Sequence, residues 1–295
     1  MRTDYLAYHA INLLLAARCE EGIAKVRSPN LSLPMLDSLW MEITMIEKQM
    51  AEDNMIVKVI TGSRLYGTDT PDSDYDYQAI FIPNKEYVYG LKSCNEVGMN
   101  HKVVIKDKEV QVDYKSYNIV KFIDLAIKNN PNILSLFFTP DNCFINKTDW
   151  GKELIEKRDL FLSKKAYHSF RGYAHAQKRK ILTKDPIGKR KELIEKYGHD
   201  VKFSMNLIRL LYECLDIMTV KQIVYPSPHR KMLKLVRNGE WSMDQVFAEA
   251  DRVEKLVDEA YVRSDLQHSP NFDAIEKFKM RILEEYWVKQ EMENR

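Results

Sequence analysis

After Pro34, apolar residues fall at Leu36, Leu39, Trp40, Ile43, Ile46 and Met50, the spacing that gathers one face of a helix. Residues 1–50 therefore read as a helical extension. From Asn54 to about Tyr114 the pattern changes, and short β-branched and aromatic runs alternate with turn residues. Strands are expected near 56–60, 76–82, 102–106 and 109–114, the last two as a hairpin around Asp107. From Ser116 onward the period is helical again. Asn130-Pro131 closes one helix and opens the next, with the proline in the first turn, where its missing N–H has no helical partner to lose. Further helices are expected near 149–158, 163–183, 189–196, 200–220, 228–237, 242–262 and 272–291. The pattern predicts an α+β chain. A small mixed sheet forms a core over residues 51–148, between the extension (1–50) and a helical domain (149–295).

A chain of 295 residues has room for one large domain or two smaller ones sharing a cleft. Its net charge of +2 means that an anionic partner must be met by a local patch. Cys19, Cys94, Cys143 and Cys214 lack CxxC spacing, which points to a reducing compartment and away from a disulfide framework or zinc site. The apolar run Ala10–Ala17 is too short to span a bilayer and makes a poor signal peptide. A cytoplasmic protein with no membrane partner is expected. There is no internal repeat, Walker A sequence or GxGxxG, and no legible Ser-His-Asp or Cys-His arrangement.

One stretch carries chemistry. The apolar run Ile56–Ile60 leads into Gly62-Ser63, and eleven residues after Ser63 come Asp74 and then Asp76. Two carboxylates two positions apart on a strand share a face, where they can hold a hard divalent cation. A Gly-Ser turn at a strand end offers backbone N–H groups and a hydroxyl to phosphate. Two-metal phosphoryl transfer usually needs a third carboxylate, and Asp113 is the best candidate. In Glu109-Val110-Gln111-Val112-Asp113-Tyr114, the residues Val110, Val112 and Tyr114 would face the core and Gln111 and Asp113 the cleft. Glu109 or Asp107 are substitutes for it. Asp74, Asp76 and Asp113 are thus the candidate catalytic and metal-binding residues, with Mg²⁺, or Mn²⁺ in its place, as the cofactor; Asp113 is also a candidate general base. Either part of the pattern alone is commonly just a turn or a solvated strand end. The order and spacing of the two together carry the reading.

Here the chain resembles the DNA polymerase β-like nucleotidyltransferase superfamily, and within it the bacterial and phage nucleotidyltransferases associated with RNA ligases. The resemblance rests on Gly62-Ser63-Arg64-Leu65-Tyr66-Gly67, Pro71-Asp72-Ser73-Asp74-Tyr75-Asp76 and Asn129-Asn130-Pro131-Asn132. It continues through Gly172-Tyr173-Ala174-His175-Ala176-Gln177, Lys196-Tyr197-Gly198-His199-Asp200-Val201-Lys202, Leu207-Ile208-Arg209-Leu210-Leu211 and Arg237-Asn238-Gly239-Glu240-Trp241. It covers about residues 55–265 and departs at Asn206, where the family pattern has histidine, so no histidine role is carried over.

The resemblance implies a polymerase β-type core, Mg²⁺ and a nucleoside triphosphate donor. Lys202, Asn206, Arg209 and Glu213 share one helix face. By periodicity such a face is usually solvated, but the resemblance makes Lys202 and Arg209 candidates to hold the triphosphate, with Gly62 and Ser63 around its β- and γ-phosphates and Asp200 orienting one of the two basic side chains. His175 and His199 become candidates to line the cleft. Residues 164–196 hold eleven Lys or Arg against three acids, with Tyr167, Phe170 and Tyr173 between them. That pattern suits a nucleic acid, and equally a soluble helix surface over core aromatics. The expected acceptor is an RNA 3′ end. The alternatives are nucleotidylation of a protein or small molecule, and a catalytically silent RNA-binding module.

Overall fold

The computed structural model describes residues 33–71, 73–105, 108–183, 189–293 and 295. The extension is therefore described only from its last third, a helix α1 (Leu33–Asp53). The core follows as β1 (Met55–Thr61), a short helix α2 (Gly62–Tyr66), β2 (Tyr75–Phe81), β3 (Glu96–Ile105) and β4 (Lys108–Asn118). Then come α3 (Ile119–Ile127), α4 (Pro131–Phe137) and a strand β5 (Phe144–Lys147) that sequence periodicity did not predict. The rest is helical: α5 (Asp149–Glu156), α6 (Lys165–Thr183), α7 (Lys189–Tyr197), α8 (Val201–Val220), α9 (Arg230–Arg237), α10 (Met243–Arg263) and α11 (Phe272–Glu293).

The five strands form one mixed sheet in the order β3-β4-β2-β1-β5, with β2 and β4 parallel and the other pairs antiparallel. β3 and β4 pair from Glu96↔Tyr117 to Ile105↔Lys108, so the expected hairpin forms, although Lys106 and Asp107 lie outside the described residues. β4 is longer than the pattern suggested. Ser116, Tyr117 and Asn118 still pair with Ala79, Ile80 and Phe81, so ladder hydrogen bonds hold them in the strand. The helical period starts only where the Asn118 side chain accepts from the Val120 N–H and caps α3. Asn130 caps α4 in the same way, with Pro131 in its first turn as expected. Asp200 caps α8 by accepting from the Lys202 and Phe203 N–H groups, and Ser242 and Gln245 form a capping box on α10.

One face of the sheet packs on α1 through Met50, Ala51, Phe81, Cys94 and Val97. The other carries Val57, Val59 and Ile80 into the helical half. Packing does not break at residue 148. A single cluster runs from Ile56 through Phe137 and Leu210 to Ile282 and Trp287. Helix α11 returns to the sheet, where Trp287 Nε1 donates to the Pro83 carbonyl and Gln290 Nε2 to Asn54 Oδ1, both at 2.9 Å. The sheet and the helices behind it therefore form one wall-to-wall body, with the cleft between them. Among the described residues no helix is long and apolar enough to cross a membrane.

Candidate active site

A cleft of about 940 Å³ opens where the C-terminal end of β1 meets α6 and α8. Its volume is that of a small-molecule or nucleotide pocket. Gly62, Ser63, Asp74, Asp76, Lys202 and Arg209 all line it, so six of the seven residues singled out from sequence meet in one place. The seventh, Asp113, is not part of the lining but stands beside it. Asp76 and Asp113 are register partners on the parallel strands β2 and β4, so their side chains leave the same face of the sheet. Asp113 Oδ1 accepts from Gln111 Nε2 at 3.2 Å. The alternative Glu109 is tied to Lys102 at 2.8 Å on the exposed hairpin, and Asp107 lies outside the described residues.

Asp74 is placed differently from the expectation. The strand begins at Tyr75, and Asp74 sits just ahead of it on an exposed turn. Arg64 fixes that turn. Its Nη2 donates to the Ser73 carbonyl at 2.9 Å and its Nε to that of Asp74 at 3.3 Å, while its guanidinium lies 3.6 Å from the Tyr75 ring centre. Arg64 was part of the sequence motif, but its work is done through backbone carbonyls, which side-chain spacing cannot show.

Gly62 adopts φ +64°, and a Cβ built on it would lie 1.9 Å from Asp76 Oδ2. The absent side chain is the space the carboxylate occupies. Burial raises the Asp76 carboxyl above its ordinary value of 3.8, and the Asp113 and Asp74 carboxylates push it further, with Lys202 and Arg64 pulling partly back. Three acids are thus held near one another with incomplete compensation, which is an electrostatic fit for a cation. Among the described residues no three His, Cys, Asp or Glu side chains close into a ready-made cage. Mg²⁺ asks for none, since it is typically held by one or two carboxylates with waters and substrate phosphates completing the shell.

A raised carboxyl pKa means that the folded state binds the Asp76 proton more tightly than the unfolded one. The strain of ionising it is absent below pH 3.8 and grows as pH rises through the folded-state value. Asp76→Asn is therefore expected to melt higher than wild type at pH 7 in EDTA, and the gap should close below pH 3.8. Added Mg²⁺ should raise the melting temperature of wild type only, and thermal scans with and without the metal test both statements.

Arg209, expected from the resemblance to hold the triphosphate, lines the cleft but is buried, and its Nη1 donates to both Glu213 oxygens, at 2.9 and 2.8 Å. Nε donates to Asn206 Oδ1 at 3.2 Å, and the guanidinium stacks 4.1 Å from the Tyr66 ring centre. Burial works against its charge, but Glu213, then Tyr66 and Tyr225, more than restore it. The arginine reaches the cleft already neutralised. Asp200 is a buried helix cap, and the two expected histidines turn away from the cleft. His199 Nδ1 is 2.8 Å from Ser204 Oγ and its Nε2 is 3.0 Å from the Trp241 carbonyl. His175 pairs with Glu254. His168 lines the cleft instead.

The basic segment divides in two. Arg171 and Lys178 pair with Asp258 and Asp251 across the α6–α10 contact. Phe170 is core, and the Tyr167 hydroxyl donates to Asp258 Oδ1 at 2.8 Å. Tyr173 and Lys180 remain on the cleft wall, with the Tyr173 hydroxyl accepting from Asn130 Nδ2 at 2.7 Å. Arg237, in a motif quoted above but given no role there, also lines the cleft.

Residues 35–294 match the model of the RNA repair pathway DNA polymerase beta family, RlaP. An uncharacterised 38.9 kDa protein from the nrdC-mobD intergenic region of Enterobacteria phage T4 is 28% identical over 132 residues, 44% of this chain. The match spans 39% of that relative's length. A nucleotidyltransferase-like protein from Exiguobacterium sibiricum 255-15 aligns over 75% of this chain and 73% of its own, with a TM-score of 0.26 and 10% identity.

Proposed function

The chain belongs to the RNA repair pathway DNA polymerase beta family, and from that premise we propose that it moves a nucleoside monophosphate from a nucleoside triphosphate onto the 3′-hydroxyl of an RNA. The observation that carries this reading is the meeting, in one cleft, of the Gly62-Ser63 turn with the Asp74 and Asp76 carboxylates, Asp113 standing beside them. Membership in the family supports nucleotidyl transfer in general, and its description links it to RNA. The 3′ end as acceptor is favoured by the cleft wall, where Tyr173 offers an aromatic face and Lys180 a charge to a polynucleotide.

Asp74 and Asp76, with Asp113 behind them, are the residues that would hold Mg²⁺ or Mn²⁺. When bound, such ions offset the triphosphate charge and make the acceptor hydroxyl more acidic. Gly62 and Ser63, which line the cleft, would offer backbone N–H groups and a hydroxyl to the β- and γ-phosphates. The acceptor oxygen attacks the α-phosphorus, the α–β P–O bond breaks, and pyrophosphate leaves. Asp113, oriented by Gln111, is the candidate to take the hydroxyl proton.

Two tests follow. Label from each α-³²P nucleoside triphosphate, offered to RNA, lysate protein and metabolites together, should enter RNA, and periodate oxidation of the RNA 3′ end should block it. Label in protein or a metabolite would retain the transfer and overturn the RNA assignment. Gly62→Ala should cost transfer about 100-fold, because the new methyl and the Asp76 carboxylate cannot share the same space. Its stability cost should be only about 1–2 kcal/mol, from a side chain at positive φ. An active Gly62→Ala enzyme would remove the Gly62–Asp76 contact from the mechanism.

A further inference from the structure

We propose that Arg237, rather than Arg209, is the arginine that grips the triphosphate tail of the donor, acting from the same wall as Lys202. The assignment rests on the nucleotidyl-transfer reading and adds to it the residue that recognises the polyphosphate.

Three observations lead there. First, Arg209 has its Nη1 on both Glu213 oxygens and its Nε on Asn206, so its charge and much of its donor fork are spoken for inside the protein. Second, Arg237 lines the cleft half-buried, with no hydrogen bond or ion pair to its guanidinium among the described residues. Burial disfavours its charge, and the nearby Asp200 and Asp74 carboxylates favour it, yet neither closes a bridge. A partly desolvated guanidinium with open donors is the group that a phosphate satisfies bidentately.

Third, the fold holds Arg237 in place. It ends α9, which is anchored by the fully buried Leu233 and Val236. The next turn passes through Gly239 at φ +76°, where a Cβ would lie 2.0 Å from the Tyr197 ring. Two residues on, the Trp241 carbonyl meets His199 Nε2 at 3.0 Å. The segment after α9 is thereby pinned to the segment before α8, and this contact brings Arg237 and Lys202 to one wall of the cleft. Tyr197, His199 and Gly239 do not line the cleft but position the residues that do.

Because this site is read by charge, the probe should be inorganic tripolyphosphate, alongside an α,β-methylene nucleoside triphosphate, a nucleoside monophosphate and an RNA oligonucleotide, all with Mg²⁺. Arg237→Gln should weaken tripolyphosphate and the triphosphate analogue by about tenfold or more. Monophosphate and RNA affinity should stay within about twofold, and Arg237→Lys should recover part of the loss. Equal tripolyphosphate affinity in a folded Arg237→Gln protein would overturn the assignment. So would a loss confined to RNA, which would make Arg237 a contact to the acceptor's phosphates. Wild type that binds no triphosphate at all would instead remove the nucleotidyl-transfer premise, and a melting curve for each variant separates these results from misfolding.

Discussion

Asp74→Ala/Asp76→Ala is expected to lose nucleotidyl transfer by about a thousandfold or more while remaining folded. Removing both carboxylates takes away two of the three oxygen donors proposed for the metal, a loss of several kcal/mol of transition-state stabilisation. Stability should not fall with it. Asp74 is exposed, and the ionised Asp76 is held against burial and against Asp113, so neutralising it relieves repulsion. The double variant should therefore melt no lower than wild type in EDTA and still bind RNA. Retained transfer would show that the pair is only a strand end. Loss of transfer together with loss of fold would leave Asp76→Asn, which keeps the side-chain shape, as the decisive variant.

Arg209→Ala should fail in the opposite way, through stability. The substitution strands the Glu213 carboxylate, itself buried and otherwise held by the Tyr225 hydroxyl at 3.0 Å, and strips the Tyr66 ring of its stacked cation. Breaking a buried ion pair from one side costs about 3–5 kcal/mol. That is a large part of the roughly 5–15 kcal/mol that holds a domain together. Urea unfolding should show the loss, and Arg209→Met/Glu213→Leu should recover most of it, because an apolar pair of similar volume leaves no orphaned charge. A stable Arg209→Ala protein with weakened triphosphate binding would return Arg209 to the phosphate role expected from sequence.

The contrast between these two sites shows what the sequence made legible. Helix limits were readable because caps and breakers mark them: Asn130-Pro131, Asp200 and Ser242 begin α4, α8 and α10 in the structure. The strand that carries Asp76 was readable because the Gly-Ser turn and the aspartates are local in the chain. β5 was not, since Phe144–Lys147 is a four-residue edge strand with no alternation to detect, defined only by its partner β1. The burial of the polar face of α8 was not legible for a similar reason. Arg209 and Glu213 stand i,i+4 like a surface pair, and only the packing of α8 among its neighbours makes them an internal one. The placement of Arg64 and Arg237 depends on backbone carbonyls and on two loops meeting, contacts that no spacing along the chain encodes.

If the cleft joining Gly62, Asp74 and Asp76 moves a nucleoside monophosphate, the transferred phosphorus must be the α-phosphorus of the donor. The measurement that tests it most directly compares α-³²P with γ-³²P nucleoside triphosphate on wild-type protein with Mg²⁺ and RNA, counting pyrophosphate released against label incorporated. The expected result is α-label in RNA, no γ-label, and one pyrophosphate per nucleotide added. Incorporation of γ-label, or RNA binding with no pyrophosphate released in any divalent metal, would contradict it.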